Sequence, residues 1–252
     1  MVKGIDCASK LTAPAAAAIR AEGYAFAGRY LVPSGWKALT KSEAEAITGA
    51  GLRLLTVWET TADRVKGGAA AGAADGASAL KCAHDIGMPA GGIIYFAVDY
   101  NAQAGEMATI EAYLRAARAN TGEYEIGVYG SYSVVEEMAK RGACKAFWQC
   151  VAWSGGKKSA YLNVYQGWFG QKAAGVSVDI NECPDMDRAG IWNYEEDNMT
   201  YYKTLNDVPD WYRVAVKKAM DKGALNGTGD GINVSEDLCR TLTILDRLGK
   251  LD

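Results

Sequence analysis

The run Gly92-Ile93-Ile94-Tyr95-Phe96-Ala97-Val98-Asp99 decides the fold class. It shows no polar alternation, which fits a strand covered on both faces, and a carboxylate ends it. Comparable runs recur along the chain: Val2 to Ile5, Tyr24 to Leu31, Leu52 to Trp58, Ile126 to Tyr129, Ala146 to Val151, Tyr161 to Tyr165 and Val176 to Ile180. Helical patterns separate the early ones. Pro14 to Glu22 follows Thr12 as a cap, and Thr40 to Ala50 opens with the capping-box spacing Thr40-x-x-Glu43. Gly67 to Ile86 is long and Ala-rich, Gln103 to Asn120 is amphipathic, and Tyr132 to Lys140 is short.

Alternating strands and helices predict an α/β fold with parallel strands, and eight strand candidates predict a closed TIM-like (β/α) barrel. The spacing adds an irregularity. The strand ends near 151, 166 and 179 leave about 15 and about 13 residues for the last two connections and their strands. Neither holds a crossover helix, so the last third should depart from the regular barrel, with antiparallel strands among the options.

The barrel is expected over residues 1–192. Asp185 to Asn198 is polar and aromatic and reads as a linker. A small helical module is expected over 199–252. Its first helix runs Pro209 to Lys222, and Asn226 to Gly231 is dense in turn residues. Ser235 opens a second helix with Leu238, Leu242, Leu245 and Leu248 along one face. Two helices bury little by themselves, so the module should dock on the barrel or pair with a second copy as a homo-oligomer.

The chain has 252 residues, 49% hydrophobic, enough for a sizeable core. With 27 basic and 30 acidic side chains, its net charge of −3 speaks against nucleic acid as the main partner. No apolar stretch reaches the length of a membrane span. The N-terminus lacks the apolar core of a secretory signal, which predicts a cytoplasmic store. The six cysteines form no C-x-x-C pair and read as free thiols, mostly buried. The single histidine, His84, lies in what looks like a buried helix. One histidine cannot build a His₂ or His₃ metal site, so no metal and no cofactor is expected. Chemistry falls to carboxylates, amides and aromatics.

In parallel barrels the reacting groups sit at the C-terminal strand ends. Those positions hold Asp6, Arg29 and Tyr30, Glu59, Asp99, Tyr129, Trp153, Gln166 and Asp179. Carboxylates crowded on one rim repel and desolvate each other, so at least one should hold its proton. Glycoside hydrolysis needs that division: one protonated acid and one ionised partner. Aromatic rings beside them suit the C–H faces of sugars. Any one Asp at a strand end reads equally as a helix cap. A divalent-cation site is the other reading of the cluster, and no phosphate-binding loop accompanies it. Trp58, Trp148 and Trp168 each read as core fillers.

Gly4-Ile5-Asp6, Trp58-Glu59, Tyr95-Phe96-Ala97-Val98-Asp99 and Val178-Asp179-Ile180-Asn181 together resemble the glycoside-hydrolase-like family DUF1906. That family is related to the GH25 lysozymes, irregular β/α barrels that cleave the glycan strands of peptidoglycan. The resemblance covers roughly residues 3 to 190. It implies a catalytic set of Glu59, Asp99 and Asp6, with Asp179, Gln166, Tyr129, Tyr30, Trp153 and Asn181 binding substrate. GH25 lysozymes usually place Asp-x-Glu after the fourth strand, whereas this chain has Asp99-Tyr100-Asn101. Glu59 is then the natural proton donor, from the neighbouring strand.

The tail has a resemblance of its own. Leu205 to Trp211, Lys222 to Gly227, Gly229 to Asn233 and Arg240 resemble one S-layer-homology-type repeat, which implies binding to a secondary wall polymer. From Met199 onward there are eight basic and eight acidic side chains, so such binding would need a shaped site rather than a polyanion clamp. The resulting expectation is a phage endolysin, held in the host cytoplasm, released by a holin and acting on peptidoglycan as a muramidase-like glycosidase. The alternatives are a sugar-binding barrel without hydrolysis and a lysin cutting another peptidoglycan bond.

Overall fold

The computed structural model describes residues 1–194, 200–227 and 231–251. Strands β1 (Val2–Asp6), β2 (Phe26–Tyr30), β3 (Arg53–Trp58), β4 (Ile93–Ala97), β5 (Glu125–Gly130), β6 (Ala146–Cys150), β7 (Val164–Ala173) and β8 (Val176–Cys183) close into one barrel. Helices α1 (Ala13–Ala21), α2 (Lys41–Gly49), α3 (Gly68–Ile86), α4 (Met107–Arg118) and α5 (Tyr132–Arg141) fill the first five connections. Strands β1 to β7 pair in parallel, in order. Strand β8 is antiparallel to both β7 and β1 and closes the ring. The fold is the irregular TIM-like barrel that the short late connections predict.

The irregularity has a local cause. Strand β7 runs well past the expected Tyr165 to Ala173, and Ala174 and Gly175 turn the chain with φ of 47° and 79°. Two central residues with positive φ make a tight hairpin turn, which can only join antiparallel neighbours. Val178 to Asp179 therefore does not end a parallel strand. Asp179 lies within a strand that runs the opposite way, so its N-terminal half reaches the rim.

Two apolar layers hold the barrel. Inside it, Phe26, Leu55, Tyr95, Trp148 and Val164 pack with Ala189 and Ile191. Between strands and helices lie Leu54, Ile94, Phe96 and Ile126 with Ile19, Ile47, Ala83 and Ile110. The described part of the expected linker is built differently from a linker. Trp192 bridges Leu54, and the Ala189 carbonyl accepts from the Tyr95 hydroxyl at 2.8 Å, so this segment plugs the barrel's N-terminal end. Its apolar residues are too sparse to show strand or helix periodicity, yet they are buried. The expected linker residues 195–198 lie outside the described residues.

Several side chains depart from their expected places. His84 is exposed on α3, with Nε2 2.6 Å from Glu123, because the helix buries Ala83 and Ile86 instead. Thr40 caps α2, but the Glu43 side chain does not return to the cap and turns to Arg29. Trp58 and Trp148 are core fillers, whereas Trp168 stands on the β7–β8 hairpin with 47% of its surface exposed. The six cysteines are free, and all but Cys144 are buried. Among the described residues no helix is long and apolar enough to cross a membrane.

The chain divides into compact units Met1–Tyr194 and Glu195–Asp252. The second contains β9 (Tyr201–Tyr202), α6 (Asp210–Asp221), β10 (Val234–Ser235) and α7 (Glu236–Arg247). Strands β9 and β10 pair antiparallel, a ladder too short to leave a sequence pattern. Its core is Val208, Ala215, Val216, Ala219, Val234, Cys239 and Leu242. The expected leucine stripe on α7 is only partly used: Leu242 is buried, but Leu238, Leu245 and Leu248 are exposed. Gly229 and Asp230 of the repeat-like pattern lie outside the described residues.

Candidate active site

The open end of the barrel holds a cavity of about 240 Å³. Asp6, Tyr30, Val57, Glu59, Asp99, Tyr129, Trp148, Ala152, Trp153, Gln166, Phe169 and Asp179 line it. Eight of the nine residues expected from sequence therefore meet in one place. The ninth, Asn181, is fully buried and does not line the cavity. It sits beneath the site, where it supports Asp6. Arg29 also leaves the expected rim: it is fully buried, and its guanidinium turns to Glu43 on α2.

Asp6 is the most elaborately held carboxylate. Its Oδ2 accepts from Gln166 Nε2 at 2.8 Å and Asn181 Nδ2 at 2.7 Å. Both amides are oriented from behind. The Tyr129 hydroxyl donates to Gln166 Oε1 at 2.8 Å, and Trp148 Nε1 donates to Asn181 Oδ1 at 2.8 Å. An amide whose oxygen is taken by a donor must present its NH₂ to the next group, so neither can flip without losing two bonds. Tyr129 and Trp148 also pack edge to face, ring centroids 5.0 Å apart. Gly28 leaves the space for this: a Cβ there would lie 2.7 Å from Asp6 Cβ and 3.1 Å from the Trp148 indole. Burial pushes the Asp6 carboxyl up to about 7, against the two amide donors that favour its charge.

Asp99 follows β4, and its carboxyl makes no hydrogen bond among the described residues. Burial first, and the Glu59 charge second, raise it above the usual carboxylate range, while Lys37 partly offsets them. Asp179 is raised by burial and accepts from the Gly170 N–H at 2.8 Å. Glu59 follows β3 and pairs with Lys37, Nζ to Oε1 3.3 Å. The Lys37 ammonium also lies 4.3 Å from the centre of the Tyr30 ring.

Lys37 and Phe169 are the contributors that sequence reasoning missed. Lys37 is a lone lysine in a loop, and only folding brings it back to β2. Phe169 was hidden because β7 extends past its expected end. Trp153, with φ of 53°, and Phe169 each expose nearly half of their surface beside the cavity. Among the described residues no three His, Cys, Asp or Glu side chains are grouped to hold a metal ion. The site offers charge, proton transfer and flat apolar faces.

Residues 17–237 match the family described as Rv2525c-like, glycoside hydrolase-like domain. The chain belongs to that family. The Tat-secreted protein Rv2525c of Mycobacterium tuberculosis, solved with L-tartrate, superposes with a TM-score of 0.67 at 25% identity, covering 75% of this chain and 98% of that one. The uncharacterized protein FadG of Bacillus subtilis (strain 168) is 29% identical over 160 residues, 56% of this chain. The chain spans only 27% of FadG. The modular autolysin LytC of Streptococcus pneumoniae shares the fold at 12% identity, with a TM-score of 0.53, over 71% of this chain and 46% of LytC. The glycoside-hydrolase-like barrel expected from the sequence motifs is thus the family's own.

Proposed function

We propose that the barrel is a muramidase-like glycosidase acting on the glycan strands of peptidoglycan. The observation that carries this reading is the convergence of Asp6, Glu59, Asp99 and Asp179 on one cavity walled by Trp153 and Phe169. Glu59 and Asp99 are the reacting pair. One gives a proton to the leaving oxygen, and the other stays ionised against the positive charge that develops on the sugar. Trp153 and Phe169 stack on sugar faces, and Tyr30 and Gln166 bound the cleft. Asp6 and Asp179 supply polarity beside the reacting pair.

The fold shared with LytC, which has been solved with a synthetic peptidoglycan ligand, supports a wall glycan as the substrate class. The second unit, by its repeat-like sequence, serves as a wall anchor, and the setting is that of an endolysin reaching the wall from the host cytoplasm. A second reading, a sugar-binding barrel without hydrolysis, is favoured by Asn101, which stands where GH25 lysozymes carry the acid. Purified walls separate the two. Loss of turbidity with new reducing ends supports hydrolysis. New amines without reducing ends point to a different bond. Binding with neither product supports the second reading.

A further inference from the structure

Lys37 is the only Lys or Arg that pairs with a carboxylate of the cavity among the described residues. Its loop joins β2 to α2 and folds back on the strand it leaves. Gly35, at φ 101°, turns the chain. The Ala38 N–H bonds to the Gly35 carbonyl at 3.2 Å, and the Leu39 N–H bonds to Tyr30 at 2.9 Å. Between these ties the Lys37 carbonyl accepts from Arg29 Nη2 at 3.3 Å.

Arg29 is itself immobilised. It is fully buried, and its Nε lies 2.8 Å from Glu43 Oε1. Its Nη1 donates to the carbonyl of Cys7, the residue after Asp6. One buried guanidinium therefore fastens the lysine loop and the exit of β1 to the same point. The Lys37 ammonium is left 3.3 Å from Glu59 and over the Tyr30 ring.

We propose that Lys37 is a positioning residue that holds Glu59 in an ion pair and so leaves Asp99, of the two reacting carboxyls, as the one that carries the proton. The inference rests on Glu59 and Asp99 being the reacting pair, and it reverses the roles expected from sequence. Asp99 has no donor to favour its charge, and both burial and the negative Glu59 favour its protonated form. Glu59, 3.3 Å from the Lys37 ammonium, is the matching partner. The other titratable groups at this cavity are Asp6, Asp179, Tyr30 and Tyr129, and none carries positive charge. Without Lys37 the two carboxyls would share one proton as a coupled pair, with neither role assigned.

The test is the Asp99 carboxyl titration, read by carbon NMR in the full chain, for wild type, Lys37→Met, Lys37→Gln and Lys37→Arg. Wild type should give one dominant step. Both neutral variants should raise the Asp99 midpoint by about half a pH unit or more and spread it over two steps. Lys37→Arg should restore the single step. An unmoved Asp99 in the neutral variants, or an arginine variant that behaves like them, overturns the proposal. A purely structural role for Lys37 would lower the melting temperature without moving Asp99. Because the titration needs no substrate, its outcome is independent of whether walls are cleaved. Where walls are cleaved, the alkaline limb of the pH–rate profile should move up with the Asp99 midpoint.

Discussion

Asp6 and Asp179 stand directly opposite each other on antiparallel strands β1 and β8, and Gln166 Nε2 reaches both carboxylates, at 2.8 Å and 3.4 Å. Directly opposed residues point to the same face of a sheet, so like charges there destabilise the pair. One amide cannot neutralise two carboxylates. The barrel thus closes on a repulsion that a stability-driven sequence would avoid, and such sites are where function overrides stability.

Burial of Asp6, with that repulsion as a smaller contribution, gives a pH-dependent prediction for Asp6→Asn. Asp6 titrates near 7 when folded and near 3.8 when unfolded. Below 3.8 both states hold the proton and the group is neutral in the balance. As pH rises toward 7 the unfolded chain releases its proton first, so stability falls, and above 7 the full penalty is present. Asparagine keeps an oxygen for the two amide donors and removes the ionisation. The variant should match wild type at about pH 3 and be more stable at about pH 8, by up to about 4 kcal/mol. Chemical denaturation at the two pH values measures the difference. A variant less stable at pH 8 would show that the Asp6 charge is not a burden.

Glu59→Gln tests the reacting pair. Glutamine keeps the shape of the side chain, and the Lys37 ammonium keeps its place over the Tyr30 ring with part of its surface open to water, so the variant should still fold. Lytic activity should fall by about 10²–10⁴-fold, the scale for losing one proton-transfer or ionised partner. The check is reducing-end release from purified walls, beside a melting curve. A folded variant with full activity removes Glu59 from the mechanism.

The buried pair Arg29–Glu43 is predicted to be a stability element with a functional consequence. Both side chains are fully buried, and Glu43 Oε1 also accepts from the Leu11 N–H at 2.8 Å. Glu43→Gln leaves a buried guanidinium without its counter-charge, which should cost about 3–5 kcal/mol. The double replacement Arg29→Met with Glu43→Leu should recover part of that loss, since it removes the charge as well as the pair but leaves the Leu11 N–H and the Cys7 carbonyl without their partners. It would still release the Lys37 loop. Urea midpoints report the first effect, and the Asp99 titration reports the second. A double variant no more stable than the single one would count against this account.

Much of this was legible in the sequence where burial on two faces leaves an apolar run. Gly92 to Val98 and Leu52 to Trp58 read as strands because both the barrel interior and the helices cover them. The strand-end carboxylates followed from that register. Asp179 was found for the wrong reason: the hydrophobic pattern of Val176 to Ile180 marks a strand but carries no direction. Lys37 and Arg29 were opaque because their roles depend on where a loop returns, which local spacing does not encode. The α2 capping box misled in the same way. Glu43 has the spacing to cap its helix, and a buried arginine on the neighbouring strand outcompetes the cap.

Among the described residues, the apolar clusters of the barrel take in residues up to Tyr194, and the Val208–Leu242 cluster takes in only residues beyond it. Each unit thus has a core of its own. Removing everything after Tyr194 should therefore leave a barrel that melts as it does in the full chain and still acts on purified, concentrated walls. Binding to intact cells should drop, because a wall anchor raises local concentration without touching the chemistry. Trp211 and Val214 on α6 and Leu248 just after α7 are exposed, and on the anchor proposal they are apolar surface open to a wall ligand. The experiment is cell sedimentation of the truncated barrel and of a fluorescent fusion carrying residues 195–252, alongside melting curves. A fusion that stays in the supernatant, together with a large drop in the melting temperature of the barrel, would assign the second unit a structural role instead.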